Sequence, residues 1–210
     1  MQLVTITGGP LQTNCHLLIK DEKVISFDFV PELNSYLAKN KLKLEAVFIT
    51  HIHFDHIAGL GEYMSNNQGL LLYMSKPASD GINNPAGTLS IYYDGPGSSK
   101  NSSNIDVSRI TTLDDGESIE WNGVNILSVS MPGHSTCSLS YIIKQLKSVI
   151  TGDTIFYLSI GRSDFPGGNH ETLIDSINKL FRLIDDNYKL LPGHGPSTNS
   201  GFEKKENSFL

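Results

Sequence analysis

Thr50-His51-Ile52-His53-Phe54-Asp55-His56-Ile57-Ala58-Gly59-Leu60 places three imidazoles and a carboxylate within six residues, directly after the apolar run Ala46-Val47-Phe48-Ile49. Such a run bounded by polar sequence reads as a buried strand. The histidines then emerge at a strand's C-terminal end, where α/β folds place their chemistry. In a turn after a strand, residues two apart can converge on one ion, which suits His51 and His53. Asp55 and His56 open the next helix and can face a second ion. A lone histidine in such a turn is ordinarily a cap or a satisfied surface group. Imidazoles and a carboxylate at this density instead match the ligand chemistry of a divalent metal site.

Working outward, the same design recurs. His134 lies in Met131-Pro132-Gly133-His134-Ser135 after the alternating run Val124 to Ser130, and Asp153 in Val149-Ile150-Thr151-Gly152-Asp153-Thr154. His194 lies in Leu191-Pro192-Gly193-His194-Gly195-Pro196, again after a short apolar strand. Each candidate ligand ends a strand. Proline and glycine fix these turns and allow close backbone approach, so a side chain can be aimed without ordering a floppy loop. His16 and His170 belong to no such motif and read as ordinary polar packing or exposed groups.

The series HxHxDH, PGHS, TGD and PGHGP, in that order, resembles the metallo-β-lactamase superfamily and spans the chain. Gly8-Gly9-Pro10-Leu11-Gln12-Thr13-Asn14-Cys15, Gly161-Arg162-Ser163-Asp164-Phe165-Pro166 and the ending Glu203-Lys204-Lys205-Glu206-Asn207-Ser208-Phe209-Leu210 are similar to the short glyoxalase II-like (hydroxyacylglutathione hydrolase-like) members. The resemblance implies a four-layer αββα sandwich of α/β class. It also implies His51, His53 and His134 on a first ion, Asp55, His56 and His194 on a second, and Asp153 bridging both, with Asp55 and Asp153 central to catalysis. Asp28, in Ser26-Phe27-Asp28-Phe29-Val30, stands where relatives have an Asp-Pro-Gly turn, and would support the ligand turn. Arg162 and Asp164 read either as a plain buried pair or as groups that shape the site and meet an anionic substrate, since arginine's fork suits a carboxylate. Cys137 stands where the family often has glycine.

Imidazole and carboxylate suit zinc, with iron or manganese as alternatives, because no cysteine at a ligand position selects zinc. A carboxylate between two divalent ions offsets their repulsion, and a bound ion lowers the pKa of water toward about 7. Hydroxide is then the expected nucleophile, and the ions stabilise the oxyanion. The expected reaction is hydrolysis of a hydroxyacyl thioester such as S-lactoylglutathione. β-Lactam hydrolysis is disfavoured, because the dinuclear β-lactamases generally lack an aspartate in the place of Asp153. Full-length glyoxalase II adds a helical glutathione-binding domain; the expectation here is a single catalytic domain, 1–210, without it. Two alternatives stay open: a mononuclear-iron persulfide dioxygenase, whose Gly-Arg-Thr-Asp-Phe stretch is similar and for which His51, His134 and Asp153 would suffice, and a lactonase or other ester hydrolase.

With 16 Lys+Arg against 22 Asp+Glu, the formal net charge is −6, and no basic stripe stands out. Lys39, Lys41, Lys43, Lys204 and Lys205 read as solvated surface, so nucleic acid is not an expected partner. There is no apolar stretch near 18 residues and no charged-then-apolar start, so neither a membrane span nor a signal peptide is expected, and a cytoplasmic address follows. Two cysteines are too few to staple a chain of this size, in keeping with a reducing compartment. The oligomeric state stays open. Gly95 to Asn104 reads as an exposed loop. Helices are expected over Pro31–Asn40, Asp55–Ser65, Glu171–Ile184 and Gly201–Asn207, the third with Leu173, Ile174, Ile177, Leu180, Phe181 and Ile184 as a core-facing stripe. Strands are expected around Leu3–Thr7, His16–Ile19, Lys23–Phe27, Ala46–Thr50, Leu70–Met74, Ile119–Trp121, Asn125–Ser130, Leu139–Lys144, Ser148–Thr151 and Lys189–Leu191.

Overall fold

Valine, isoleucine and phenylalanine runs become strands throughout the computed structural model, which describes residues 1–94 and 104–210 and divides into two units, Met1–Thr112 and Leu113–Leu210. The loop expected at Gly95–Asn104 falls outside the described residues up to position 103.

The first unit runs β1 (Gln2–Gly8), β2 (Thr13–Lys20), β3 (Lys23–Phe27), α1 (Glu32–Asn40), β4 (Lys43–Phe48), a 3-10 turn (Phe54–His56), α2 (Leu60–Asn66), β5 (Leu71–Met74), α3 (Lys76–Gly81), α4 (Ile91–Asp94), a second 3-10 turn (Val107–Arg109) and β6 (Ile110–Thr112). Its strands pair in chain order, antiparallel from β1 to β3 and parallel from β3 to β6. Strands β3 and β4 are buried over most of their length, as parallel strands covered on both faces must be. Their register sets Phe27 opposite Phe48, so the chain leaves both strands side by side at Asp28 and at Ile49-Thr50.

Two expectations fail here for physical reasons. The strand expected over Ala46–Thr50 ends at Phe48, because the Thr50 N–H turns to the Asp28 carboxylate. The continuous helix expected over Asp55–Ser65 is split: Asp55 and His56 lie in the 3-10 turn, and Gly59 at φ +80° breaks the chain before α2. Buried Ile57, Leu60 and Met64 carry a helix-like spacing across that break, which is why the pattern read as one element. Helices α3 and α4 were not expected. The former announces itself through Ser75, whose side chain accepts the Ala78 N–H, and through proline in the first turn.

The second unit runs β7 (Ser118–Trp121), β8 (Val124–Ser130), β9 (Leu139–Ile143), β10 (Ser148–Gly152), β11 (Ile155–Phe156), β12 (Ser159–Ile160), α5 (His170–Leu183), β13 (Lys189–Pro192), β14 (Thr198–Asn199) and α6 (Ser200–Glu206). Its main sheet has the order β14-β13-β10-β9-β8-β7, with β10 parallel to β13, while β11 and β12 form a separate hairpin. The expected stripe on α5 is core: Leu173, Ile177 and Leu180 are fully buried against Val129, Met131, Val149 and Leu190. Each such side chain contributes about 1.5–3 kcal/mol of burial. The helix starts at Asn169, whose side chain accepts the Thr172 N–H. Where β10 and β13 end, Gly152 faces Pro192 and the Gly193 N–H donates to the Gly152 carbonyl at 2.9 Å, so Asp153 and His194 leave the sheet together. Among the described residues no helix is long and apolar enough to cross a membrane.

Candidate metal centre

In the first unit His51, His53, Asp55 and His56 are all buried. Asp28, held in the left-handed region at φ +63° with its N–H donating to the Phe48 carbonyl at 2.8 Å, orients His56 directly and His51 through Thr50. One oxygen of its carboxylate accepts the Thr50 N–H at 2.7 Å; the other accepts the Thr50 hydroxyl at 2.8 Å and His56 Nδ1 at 2.7 Å. A carboxylate only accepts, so the proton of a neutral His56 sits on Nδ1 and Nε2 presents a lone pair. The Thr50 proton is committed to Asp28, so its oxygen meets His51 Nδ1, 3.1 Å away, as an acceptor, and His51 Nε2 is likewise left as a donor of electrons.

His51 Nε2 stands 3.0 Å from His53 Nδ1, and Asp55 Oδ2 stands 3.4 Å from His56 Nε2. Asp55 is in turn oriented by Thr13, whose hydroxyl donates to the same oxygen at 2.6 Å from β2. Thr13 was not singled out as a site residue. Nothing local marks it, since its partner lies 42 positions along the chain.

In the second unit His134 follows a turn whose Gly133 adopts φ +133° with the backbone of Leu173 pressed against it; a Cβ there would sit 2.4 Å from the Leu173 nitrogen. His134 Nδ1 donates to the Arg162 carbonyl at 2.7 Å, which fixes its tautomer and frees Nε2 as a ligand atom. Asp153 Oδ2 lies 3.7 Å from His134 Nε2 and 3.5 Å from His194 Nε2. Gly161 closes in behind the aspartate, and a Cβ there would fall 1.8 Å from the Asp153 carbonyl oxygen.

Two donors on one tetrahedral zinc at 2.0–2.1 Å stand about 3.3 Å apart. The donor separations of 3.0–3.7 Å within each unit fit that spacing, the tautomers of His51, His56 and His134 fit it, and the donor set is neutral imidazole plus carboxylate. The residues present therefore fit a divalent ion such as zinc, iron or manganese.

The remaining candidates sort out as follows. Arg162 and Asp164 are not a buried pair: their side chains are 57% and 67% exposed. The guanidinium grips the carboxylate through two 2.7 Å hydrogen bonds and lies 3.9 Å over the Phe165 ring. Those bonds from Arg162 hold the Asp164 carboxyl down at about 2. Arg162 reaches the ligand set through its carbonyl rather than its charge. Cys15 and Cys137 are buried thiols outside any disulfide. Burial pushes the Cys15 thiol up, and it donates to the Asp28 carbonyl at 3.2 Å; Cys137 Sγ lies 3.3 Å from the Ser135 hydroxyl. His16 is buried beside Thr5 at 2.9 Å, and His170 is exposed at the start of α5, so both play the ordinary parts expected of them.

Comparison with known proteins agrees with this chemistry. The family model described as the metallo-beta-lactamase superfamily matches residues 8–194. "Probable metallo-hydrolase YqgX" of Bacillus subtilis is 31% identical over 211 residues, covering 96% of this chain and 94% of its own. "Hydroxyacylglutathione hydrolase GloC" of Haemophilus influenzae is 28% identical and covers 100% of this chain and 97% of its own. Among solved structures, the BLEG-1 B3 metallo-beta-lactamase superposes with a TM-score of 0.88 at 28% identity, over 100% of this chain and 99% of that one. The chain thus belongs to the metallo-β-lactamase superfamily, has its α/β fold, and is a metal-dependent hydrolase of that superfamily.

Proposed function

We propose that the chain hydrolyses a hydroxyacyl thioester of a small thiol, with S-lactoylglutathione as the first candidate. Two divalent ions, zinc foremost, would be held by His51, His53 and His134 and by Asp55, His56 and His194, with Asp153 available to both. The observation that carries the reading is Asp153: one of its oxygens stands at ligand-pair distance from both His134 and His194. That is where a carboxylate serving two ions belongs. Likeness to GloC over nearly the whole of both chains supports the substrate class.

When bound, the ions supply Lewis acidity toward the carbonyl oxygen and a hydroxide at neutral pH. The chain's own residues do the rest. Asp28 and Thr50 hold the His51 and His56 tautomers, Thr13 orients Asp55, and the Arg162 carbonyl holds His134. A thiolate leaves without strong acid assistance, so this set needs no additional proton donor. The guanidinium of Arg162, fixed by Asp164 and exposed, is suited to meet an anionic carrier.

A second reading, β-lactam hydrolysis, draws on the likeness to BLEG-1. One experiment separates the two. Zinc-loaded protein is assayed for thiol release from S-D-lactoylglutathione and for opening of a chromogenic cephalosporin, beside Asp153→Ala. Thiol release that disappears in the variant is the expected result. Cephalosporin opening alone would replace the thioester reading with the second. Oxygen uptake with glutathione persulfide in the iron-loaded protein, without thiol release, would replace it with the dioxygenase.

A further inference from the structure

We infer that Glu203, a carboxylate outside the proposed ligand set, is the positioning residue for all three ligands of the second unit. The inference rests on the metal reading above for what those ligands do, but not on the thioester.

Glu203 lies on α6 and is fully buried, in a run of charged residues that otherwise reads as solvated surface. It accepts three hydrogen bonds. One comes from the Leu158 N–H at 3.0 Å, one from the Thr198 hydroxyl at 2.5 Å and one from Asn207 Nδ2 at 2.8 Å. Asn207 Nδ2 also donates to the Ser159 carbonyl at 3.1 Å. The pair therefore clamps Leu158, held at φ +53° at the tip of the β11–β12 hairpin, and Ser159, the first residue of β12.

That hairpin joins two ligand supports. It begins just after Asp153. It ends at Gly161, whose N–H donates to the Thr154 carbonyl at 3.1 Å and whose Cα abuts the Asp153 carbonyl. The next residue is Arg162, whose carbonyl accepts from His134. The third ligand is reached from the other oxygen of Glu203: Thr198 opens β14, at the far end of the Gly195-Pro196-Ser197 turn that follows His194. One carboxylate thus ties the hairpin carrying Asp153 and the His134 support to the turn carrying His194. A buried carboxylate is costly unless its donors are supplied, and here every donor comes from those two segments or from Asn207, just past the end of α6.

A merely structural role is separable. Glu203→Ala should weaken Co2+ or Zn2+ binding, read by competition with a chelator, at least about tenfold, in the range found for groups that orient metal ligands. It should also speed amide hydrogen exchange over residues 154–162. Glu203→Gln should restore both, because the amide oxygen can take the Leu158 and Asn207 donors while its NH2 donates to the Thr198 oxygen. The control is Leu180→Ala, in the core of the same unit, which lowers Tm while leaving the hydrogen bonds of Glu203 and Asn207 in place. If Glu203→Ala matches Leu180→Ala in metal affinity and in exchange, Glu203 serves stability alone and the inference fails. Should Glu203→Ala not fold, Asn207→Ala, which removes the Ser159 contact, carries the same comparison. Tight metal binding by the wild type without thioester turnover would sink the substrate proposal and leave this one standing.

Discussion

Asp28 serves three donors with two oxygens, and this load explains why a residue that touches no reacting atom matters to the ligand set. Asp28→Ala removes the acceptor that keeps the His56 proton on Nδ1 and, through Thr50, organises His51. The expected outcome is a loss of about 10–100-fold in metal affinity, measured by chelator competition. Gly161→Ala should be as damaging without altering any polar group, since its methyl overlaps the Asp153 carbonyl oxygen. The backbone must yield, and a loss of about 1–3 kcal/mol of stability is expected in denaturant titration, together with reduced turnover. A milder effect belongs to Asp164. Its folded-state pKa, held near 2 by Arg162, lies below the ordinary carboxylate value, so the pair stabilises the fold above about pH 4 and the contribution fades as pH falls toward 2. In Asp164→Asn, stability measured over that window should fall less steeply than in the wild type. The side chain is exposed, so the difference is small. At this scale the ligands were readable because imidazole and carboxylate in glycine-bearing strand-end turns have few other uses. Thr13 and Glu203 were not, because the contacts that give them their parts, to Asp55 and to Leu158, lie 42 and 45 positions away and neither residue type is unusual where it stands.

Among the elements, α5 was readable nearly to the residue, since Leu173, Ile177 and Leu180 keep one period over a single uninterrupted helix and Asn169 marks its start. The same period misled at Asp55–Ser65. There a 3-10 turn and a helix share a buried stripe, and only the left-handed Gly59 separates them. Hydrophobic spacing records which face is buried; it does not record whether the backbone hydrogen bonds are continuous. The same helix gives a graded pair of expectations. Asn169→Ala removes the cap and should cost about 1 kcal/mol. Leu180→Ala leaves a cavity in the second unit's core and should cost about 2–5 kcal/mol, both by denaturant titration. The arginine–aspartate pair shows the opposite limit: spacing in the sequence placed Arg162 beside Asp164 but could not say that the pair faces water.

For the molecule as a whole, charge and composition gave only the expectation that nucleic acid is not a partner, and the strand-end turns pointed to the family. Seven imidazole or carboxylate side chains that fit divalent ions, each at donor-pair distance from another within its own unit, imply that bound ion stabilises the native state. Stripping the ions with a chelator should lower Tm and re-adding zinc should restore it, with about 4 kcal/mol at stake when free ion is a thousandfold above Kd. An unchanged Tm would argue against an ion in the native state. The sequential strand order of the first sheet carries a consequence for synthesis. Strands β2 to β5 each hydrogen-bond to the strand before them, so the first sheet can be built in the order in which its strands are made. By the time Met74 has left the ribosome, Thr13, Asp28, Thr50 and four prospective ligands are all in hand, whereas the parallel pairing of β10 with β13 that aligns Asp153 and His194 must wait for the last fifth of the chain. Because domains begin to fold during translation, the residues that orient the first four ligands are synthesised well before Asp153 and His194, and metal capture by ribosome-bound chains stalled after β5 and after β13 would test whether that order of synthesis is also an order of loading.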